Sequence, residues 1–138
     1  MRMSPDDANE LRDYLTRIRD LVPALPLEAR IGGGATAGQL AFHAAESADW
    51  WTRQAMLGDP RPRDRDSEFT GEPSLEDLGA ALDRALAACE ELARRCPDLT
   101  AMSDARRGDS WTVLRSLIHA TAHTAEHVGH LESAVRGR

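Results

Sequence analysis

The chain contains no lysine. All 17 of its basic residues are arginine, against 23 acidic residues, and the formal net charge is −6. Tracking a phosphate backbone requires a surplus of cations, so nucleic acid is not an expected partner. Aromatic residues are scarce as well, 4% of the 138 residues, and Val and Ile are few beside Ala and Leu. Strands draw on β-branched and aromatic side chains, so this shortage favours helices. There are two cysteines, Cys89 and Cys96, in one helical pattern. Two turns of helix hold them about 10 Å apart, beyond the reach of a disulfide. They read as small buried hydrophobes in a reduced, cytoplasmic protein. Long hydrophobic runs are also missing. Mean hydropathy is −0.48, and the longest uncharged stretch, Ile31 to Ala45, is broken by Gly32, Gly33, Gly34 and Gly38. Met1 to Asp7 carries no apolar segment. Neither a membrane span nor a secretory signal is expected.

What is present suits one domain over residues 1–138, with 41% apolar residues to fill a single core. Four amphipathic helices are predicted. The first opens at Ser4-Pro5-Asp6-Asp7, a capping serine followed by proline and acids in the first turn, and carries Leu11, Tyr14, Leu15, Ile18, Leu21 and Val22 at helical spacing. The second opens on the capping box Thr36–Gln39 and runs to about Leu57, ahead of Gly58-Asp59-Pro60. The third opens on Ser74–Asp77, carries Leu75, Leu78, Leu82, Leu86, Cys89 and Leu92, and stops at Pro97. The fourth is expected from Asp109 or Ser110 to about Val135. Such a set packs as a four-helix bundle. The connector 58–73 is rich in Pro, Arg and Asp and reads as an exposed loop. Extended, it reaches about 50 Å, enough to cross over and let the second and third helices run parallel.

The histidines carry the functional signal. Four of the five, His119, His123, His127 and His130, lie in the last helix. At about 100° per residue they fall within an arc of about 80°, one stripe at the border of the apolar face. Imidazoles at i and i+4 can share one metal ion, and several desolvated together are poorly satisfied without a cation or an acid. A further ligand must come from another helix, and His43 in the second is the one other histidine. Taken alone, His43 reads more simply as a hydrogen-bonded border residue. A solvated His face that binds nothing is the plain alternative for the stripe.

The other candidates read structurally. Trp50-Trp51 reads as bundle packing, and Asp49 with Arg53 as a surface pair. Arg61 to Asp66 reads as solvated, with balanced charge. Gly32-Gly33-Gly34 is a connector, not a phosphate loop, since it lacks a Lys-Ser/Thr ending. Glu126 lies beside the stripe, with solvent exposure as its default.

Thr36-Ala37-Gly38-Gln39-Leu40-Ala41-Phe42-His43-Ala44-Ala45-Glu46 resembles the second-helix motif of the DinB-like (damage-inducible) superfamily. Leu117 to His119 and His123 to Leu131 resemble its last helix. The resemblance spans nearly the whole chain and implies an all-α four-helix bundle with a long crossover between helices 2 and 3. It also implies a three-ligand site for a divalent metal, zinc or nickel, carried here by His43, His123 and His127. In the related mycothiol-dependent maleylpyruvate isomerase the position matching His123 is a Glu, so this chain follows the all-His version. Another group of DinB-like proteins is similar at His119, His127 and His130, which leaves a shifted ligand set as the alternative.

The activity implied is that of the superfamily's S-transferases, which are similar in their His triad. They join mycothiol or bacillithiol, small thiols, to small-molecule electrophiles. The exclusive use of arginine fits a GC-rich actinobacterial genome, for which mycothiol would be the thiol. Glu126, His119 or His130 would then orient a ligand or move a proton. Metal-dependent hydrolysis, and a non-catalytic metal- or small-molecule-binding stress protein, are the alternatives. The family resemblance further implies a homodimer.

Overall fold

The computed structural model describes residues 1–32, 34–105 and 110–137. Gly33 of the glycine connector and Asp109, one of the two expected starts of the last helix, lie outside them. Helix α1 spans Asn9–Leu21 and is entered through a 3-10 turn at Pro5–Ala8. Helix α2 spans Ala37–Trp50 and continues as a wider π-helical turn, Trp51–Met56. Helices α3 and α4 span Leu75–Arg95 and Val113–Arg136. Two capping boxes form where the sequence places them. The Gln39 N–H donates to Thr36 Oγ1 at 3.1 Å and the Thr36 N–H to Gln39 Oε1 at 3.0 Å. Ser74 and Asp77 repeat the exchange at 3.0 and 3.1 Å. At the chain start, the Ser4 N–H donates to the Asp7 carboxylate at 2.8 Å.

Helix α4 starts later than expected. Its cap is Thr112, whose hydroxyl accepts from the Arg115 N–H at 3.1 Å. Ser110 precedes the helix because the segment before Thr112 is paired in extended form: Met102 bridges Thr112, and the Ser103 N–H donates to Trp111 O at 2.8 Å. This conformation buries the Trp111 ring against Trp51, with centroids 5.3 Å apart.

Helices α1 and α2 each pack against both α3 and α4 and only slightly against each other, so they are diagonal in the bundle. The pairings along α2 and α3 run in the same order. Phe42 and Ala80 line one groove, Arg84 donates to Glu46, and Arg95 donates to Leu57 O. The two helices are therefore parallel, as the length of the crossover predicts. The α2–α4 pairings run in opposite order, with Trp51 against His119 and His43 against His127. The core combines Leu11, Leu15 and Ile18 of α1 with Leu78, Leu82 and Leu92 of α3 and Val128 and Leu131 of α4. Helix α2 contributes chiefly alanines, Ala41, Ala44, Ala45 and Ala48, which let its neighbours approach closely. Leu75, expected on the apolar stripe, is 59% exposed at the first residue of α3. Among the described residues no helix is long and apolar enough to cross a membrane.

Both cysteines are free. Cys89 is buried, and desolvation pushes its thiol up to about 12, which keeps it unreactive. Cys96 departs from the expectation: it is half-buried and ends α3 in the left-handed region at φ 45°.

The crossover is held down and is not a free loop. Arg61 donates through Nε to Asp49 at 2.9 Å and through Nη2 to Glu46 at 2.8 Å, while Arg84 takes the other Glu46 oxygen at 3.1 Å. Two expectations are corrected here. Asp49 does pair with Arg53, at 3.1 Å, but it is only 2% exposed and is shared with Arg61. Within Arg61–Asp66, Arg61 and Arg63 are half-buried, because the crossover passes over α2 and pairs them with Glu46, Asp49 and Glu68, while Pro62, Asp64, Arg65 and Asp66 are exposed as expected. Asp49→Ala should cost about 3 kcal/mol, since it leaves buried guanidinium contacts unmatched, while Arg53→Ala at the open end should cost less than about 1 kcal/mol. Urea denaturation of the two variants checks the difference.

Candidate metal centre

Helix α4 presents His123 and His127 one turn apart toward α2, and α2 presents His43 toward them. The Nε2 atoms of His43 and His123 are 3.3 Å apart, and those of His127 and His123 are 3.1 Å apart. Ligand atoms of the three side chains all lie within 4.8 Å of one another, and no other such group of histidine, cysteine or acid exists among the described residues. Three nitrogens on one tetrahedral zinc ion at about 2.0–2.1 Å would be roughly 3.3 Å apart. The observed spacing is one that a shared metal ion could bridge.

The protons fit the same description. Glu68 is 3% exposed and sits 2.8 Å from His43 Nδ1 through Oε1. Arg63 closes a fork on the same carboxylate, Nε to Oε2 at 2.8 Å and Nη2 to Oε1 at 2.9 Å. A bare Nδ1 lone pair would repel the carboxylate, so His43 carries its proton on Nδ1 and turns the Nε2 lone pair toward the other rings. Arg63 Nη2 also lies 3.3 Å from Nδ1, but a nitrogen that already donates has nothing to accept with. Burial opposes ionisation of Glu68; hydrogen bonds from His43 and Arg63, and their charges, outweigh it and hold the carboxyl below its ordinary value. Ser47 Oγ lies 3.4 Å from His123 Nδ1, a longer version of the same support. His127 Nδ1 is buried with no hydrogen-bond partner among the described residues.

Desolvation, reinforced by the neighbouring histidines and by Arg63 and Arg65, pushes His123 down to about 4. Desolvation with His123, His43 and His130 pushes His127 down to about 3. Both rings are neutral at pH 7, and neutral imidazole is the form that binds a metal ion.

The remaining expected residues lie outside this convergence. His119 is half-buried, its ring 4.5 Å from Trp51, 5.3 Å from Trp111 and 6.0 Å from His123, centroid to centroid. His130 is exposed, its ring 5.7 Å from that of His127, and Glu126 is exposed on α4. The sequence reading missed Glu68, Arg63 and Phe69, whose ring lies 4.9 Å from that of His43. All three sit in the connector read as exposed. A signal was present: Phe69 is the one large apolar side chain between Leu57 and Leu75 other than proline, and Glu68 precedes it. Gln39 anchors this segment, its Nε2 donating to Phe69 O at 3.1 Å and Gly71 O at 2.9 Å.

Because His123 and His127 titrate lower in the folded chain than the ordinary value of about 6.5, the unfolded chain binds more protons between those values. The stability of the metal-free protein should therefore hold above pH 7 and fall as the pH drops from about 6.5 to 4. Thermal melts in chelator across this range check it, and the double variant His123→Asn/His127→Asn should show a flatter profile.

A family model described as the DinB superfamily matches residues 7–131. No curated protein and no solved structure gives a significant match. The family match covers the four helices almost to the end of α4, and with it the chain belongs to the DinB superfamily.

Proposed function

We propose that His43, His123 and His127 hold one divalent cation, zinc or nickel, and that the chain is a metal-dependent enzyme joining a small thiol of the mycothiol or bacillithiol type to a small electrophile. The convergence of three Nε2 atoms at 3.1 and 3.3 Å carries this reading. Two of those nitrogens are kept neutral by burial, and the third is backed by a buried carboxylate. An ion held by three protein ligands has positions to spare, and there it lowers the pKa of a thiol or water toward neutrality. Thiol transfer is preferred to hydrolysis because the His triad resembles that of the superfamily's S-transferases.

The chain's own residues prepare the site. Glu68 holds the His43 proton on Nδ1 and fixes the ring plane, acting as a positioning residue. Arg63 keeps Glu68 ionised. Phe69 of the crossover covers one side of His43, and Trp51 with His119 walls the side toward the start of α4. Water is thus restricted to the face where the three nitrogens meet.

Protein purified without a His-tag should contain about one equivalent of zinc or nickel by elemental analysis. His43→Ala, His123→Ala and His127→Ala should each lose it, while His119→Ala and His130→Ala should keep it. Glu68→Gln should weaken zinc affinity about 10- to 100-fold, the usual effect of losing a carboxylate behind a metal-binding histidine. Thiol consumption with a generic electrophile should require both the metal and the thiol. Turnover without a thiol would replace transfer by hydrolysis, and a folded wild type that refuses added zinc would end the metal reading.

A further inference from the structure

A groove of about 510 Å³ opens where the π-helical turn of α2 meets the crossover, lined by Trp50, Trp51, Arg61, Arg63 and Arg65 with prolines between them. Its cations differ in what they have left to offer. Arg61 is fully engaged, through Nε to Asp49, Nη1 to Pro62 O and Nη2 to Glu46. Arg63 spends Nε and Nη2 on Glu68 and keeps Nη1 without a partner among the described residues. Arg65 is exposed; its carbonyl accepts from the Glu68 N–H at 3.2 Å, while its guanidinium has no hydrogen-bond or ion-pair partner among them. Of the carboxylates around the groove, Glu46 and Asp49 pair with Arg61 and Glu68 with Arg63, Asp104 accepts from the Gln54 amide at 2.7 Å, and Asp64 and Asp66, which flank Arg65 in the chain, are exposed. One whole guanidinium and one spare N–H edge therefore face a small, partly apolar space.

The groove adjoins the metal centre. Arg63 Nη2 lies 3.3 Å from His43 Nδ1 and shares Glu68 with it, and Trp51 stands against His119, which stacks on His123. We propose that this groove binds the carboxylate of a small planar substrate, with Arg65 and Arg63 Nη1 taking the carboxylate and the half-buried Trp50 ring lying against the planar body. This names a substrate class for the proposed function and rests on that reading for its catalytic role. A monoanion matches the count of free donors, and a guanidinium edge matches a carboxylate in shape. A planar body suits an indole wall at low entropic cost. The volume suits a small-molecule ligand.

The test uses 4-fluorocinnamate and its neutral amide as probes, followed by fluorine NMR titration on zinc-loaded and chelator-treated protein, with zinc content measured in parallel. The acid should bind both forms alike. The amide should bind about tenfold more weakly, and so should the acid to Arg65→Gln, while Arg65→Lys should retain most of the affinity. Arg65 is exposed, so its variants should keep the helical circular dichroism and the zinc content of the wild type. Equal binding of acid and amide, an Arg65→Gln variant that binds as wild type, or binding lost on chelation would each overturn the proposal; the last would put the carboxylate on the metal. Wild type that refuses added zinc yet still binds the acid through Arg65 would end the metal reading and uphold the groove.

Discussion

The burial of Glu68 against His43 is the contact on which the rest of the site depends. A carboxylate 3% exposed is tolerated only when its lone pairs are met by donors, and here three N–H groups meet them: His43 Nδ1 and two from Arg63. The contact has two consequences. It sets the His43 tautomer, so that Nε2 is left as a lone pair aimed between the helices. It also draws a segment of the crossover onto α2, where Gln39 holds it by two backbone carbonyls. The same side chain that caps the start of α2 thus anchors the cover of the site one turn later.

The topology explains why such a cover exists. Helices α2 and α3 are neighbours and parallel, so the chain must travel the length of the bundle between them. A connector of that length brings its own polar groups past α2, whose alanine-rich surface leaves room for it. Glu46 and Asp49, spaced so that both face the passing chain, receive Arg61; Glu68 within the chain receives Arg63. These pairs are partly buried, so their main effect is to specify where the crossover lies. The groove beside them lies between the crossover and α2, lined by Pro60, Pro62 and the arginines on one side and by Trp50 and Trp51 on the other.

The histidine cluster is a local conflict in the fold. Neutral imidazoles with lone pairs 3.1 to 3.3 Å apart repel unless a proton or a cation stands between them. His127 Nδ1 adds a buried donor or acceptor that nothing among the described residues meets. Packing gained elsewhere in the bundle, from leucines of α1 and α3 with no exposure at all, offsets this cost. Conflicts of this kind concentrate where a protein binds something.

Periodicity and capping made the helices legible from the sequence. Thr36–Gln39 and Ser74–Asp77 start α2 and α3 where they were read, because a cap is decided by residues three apart. The i, i+4 spacing of His123 and His127 was legible for the same reason, as was the crossover, from its length. The start of α4 was not, because Trp111 is held extended by distant contacts with Ser103 and Trp51. Nor was the burial of Asp49, Glu68 and Arg63, since a charged residue in a polar stretch looks solvated until another part of the chain covers it. The sequence by itself determined the four helices, their apolar faces and the histidines available to a metal ion, since each of these depends on neighbours within a turn or two. Only the tertiary structure decided which histidines meet, which acid stands behind them and which crossover arginines it engages, because those depend on how close residues far apart in the chain come when α2, α4 and the crossover pack.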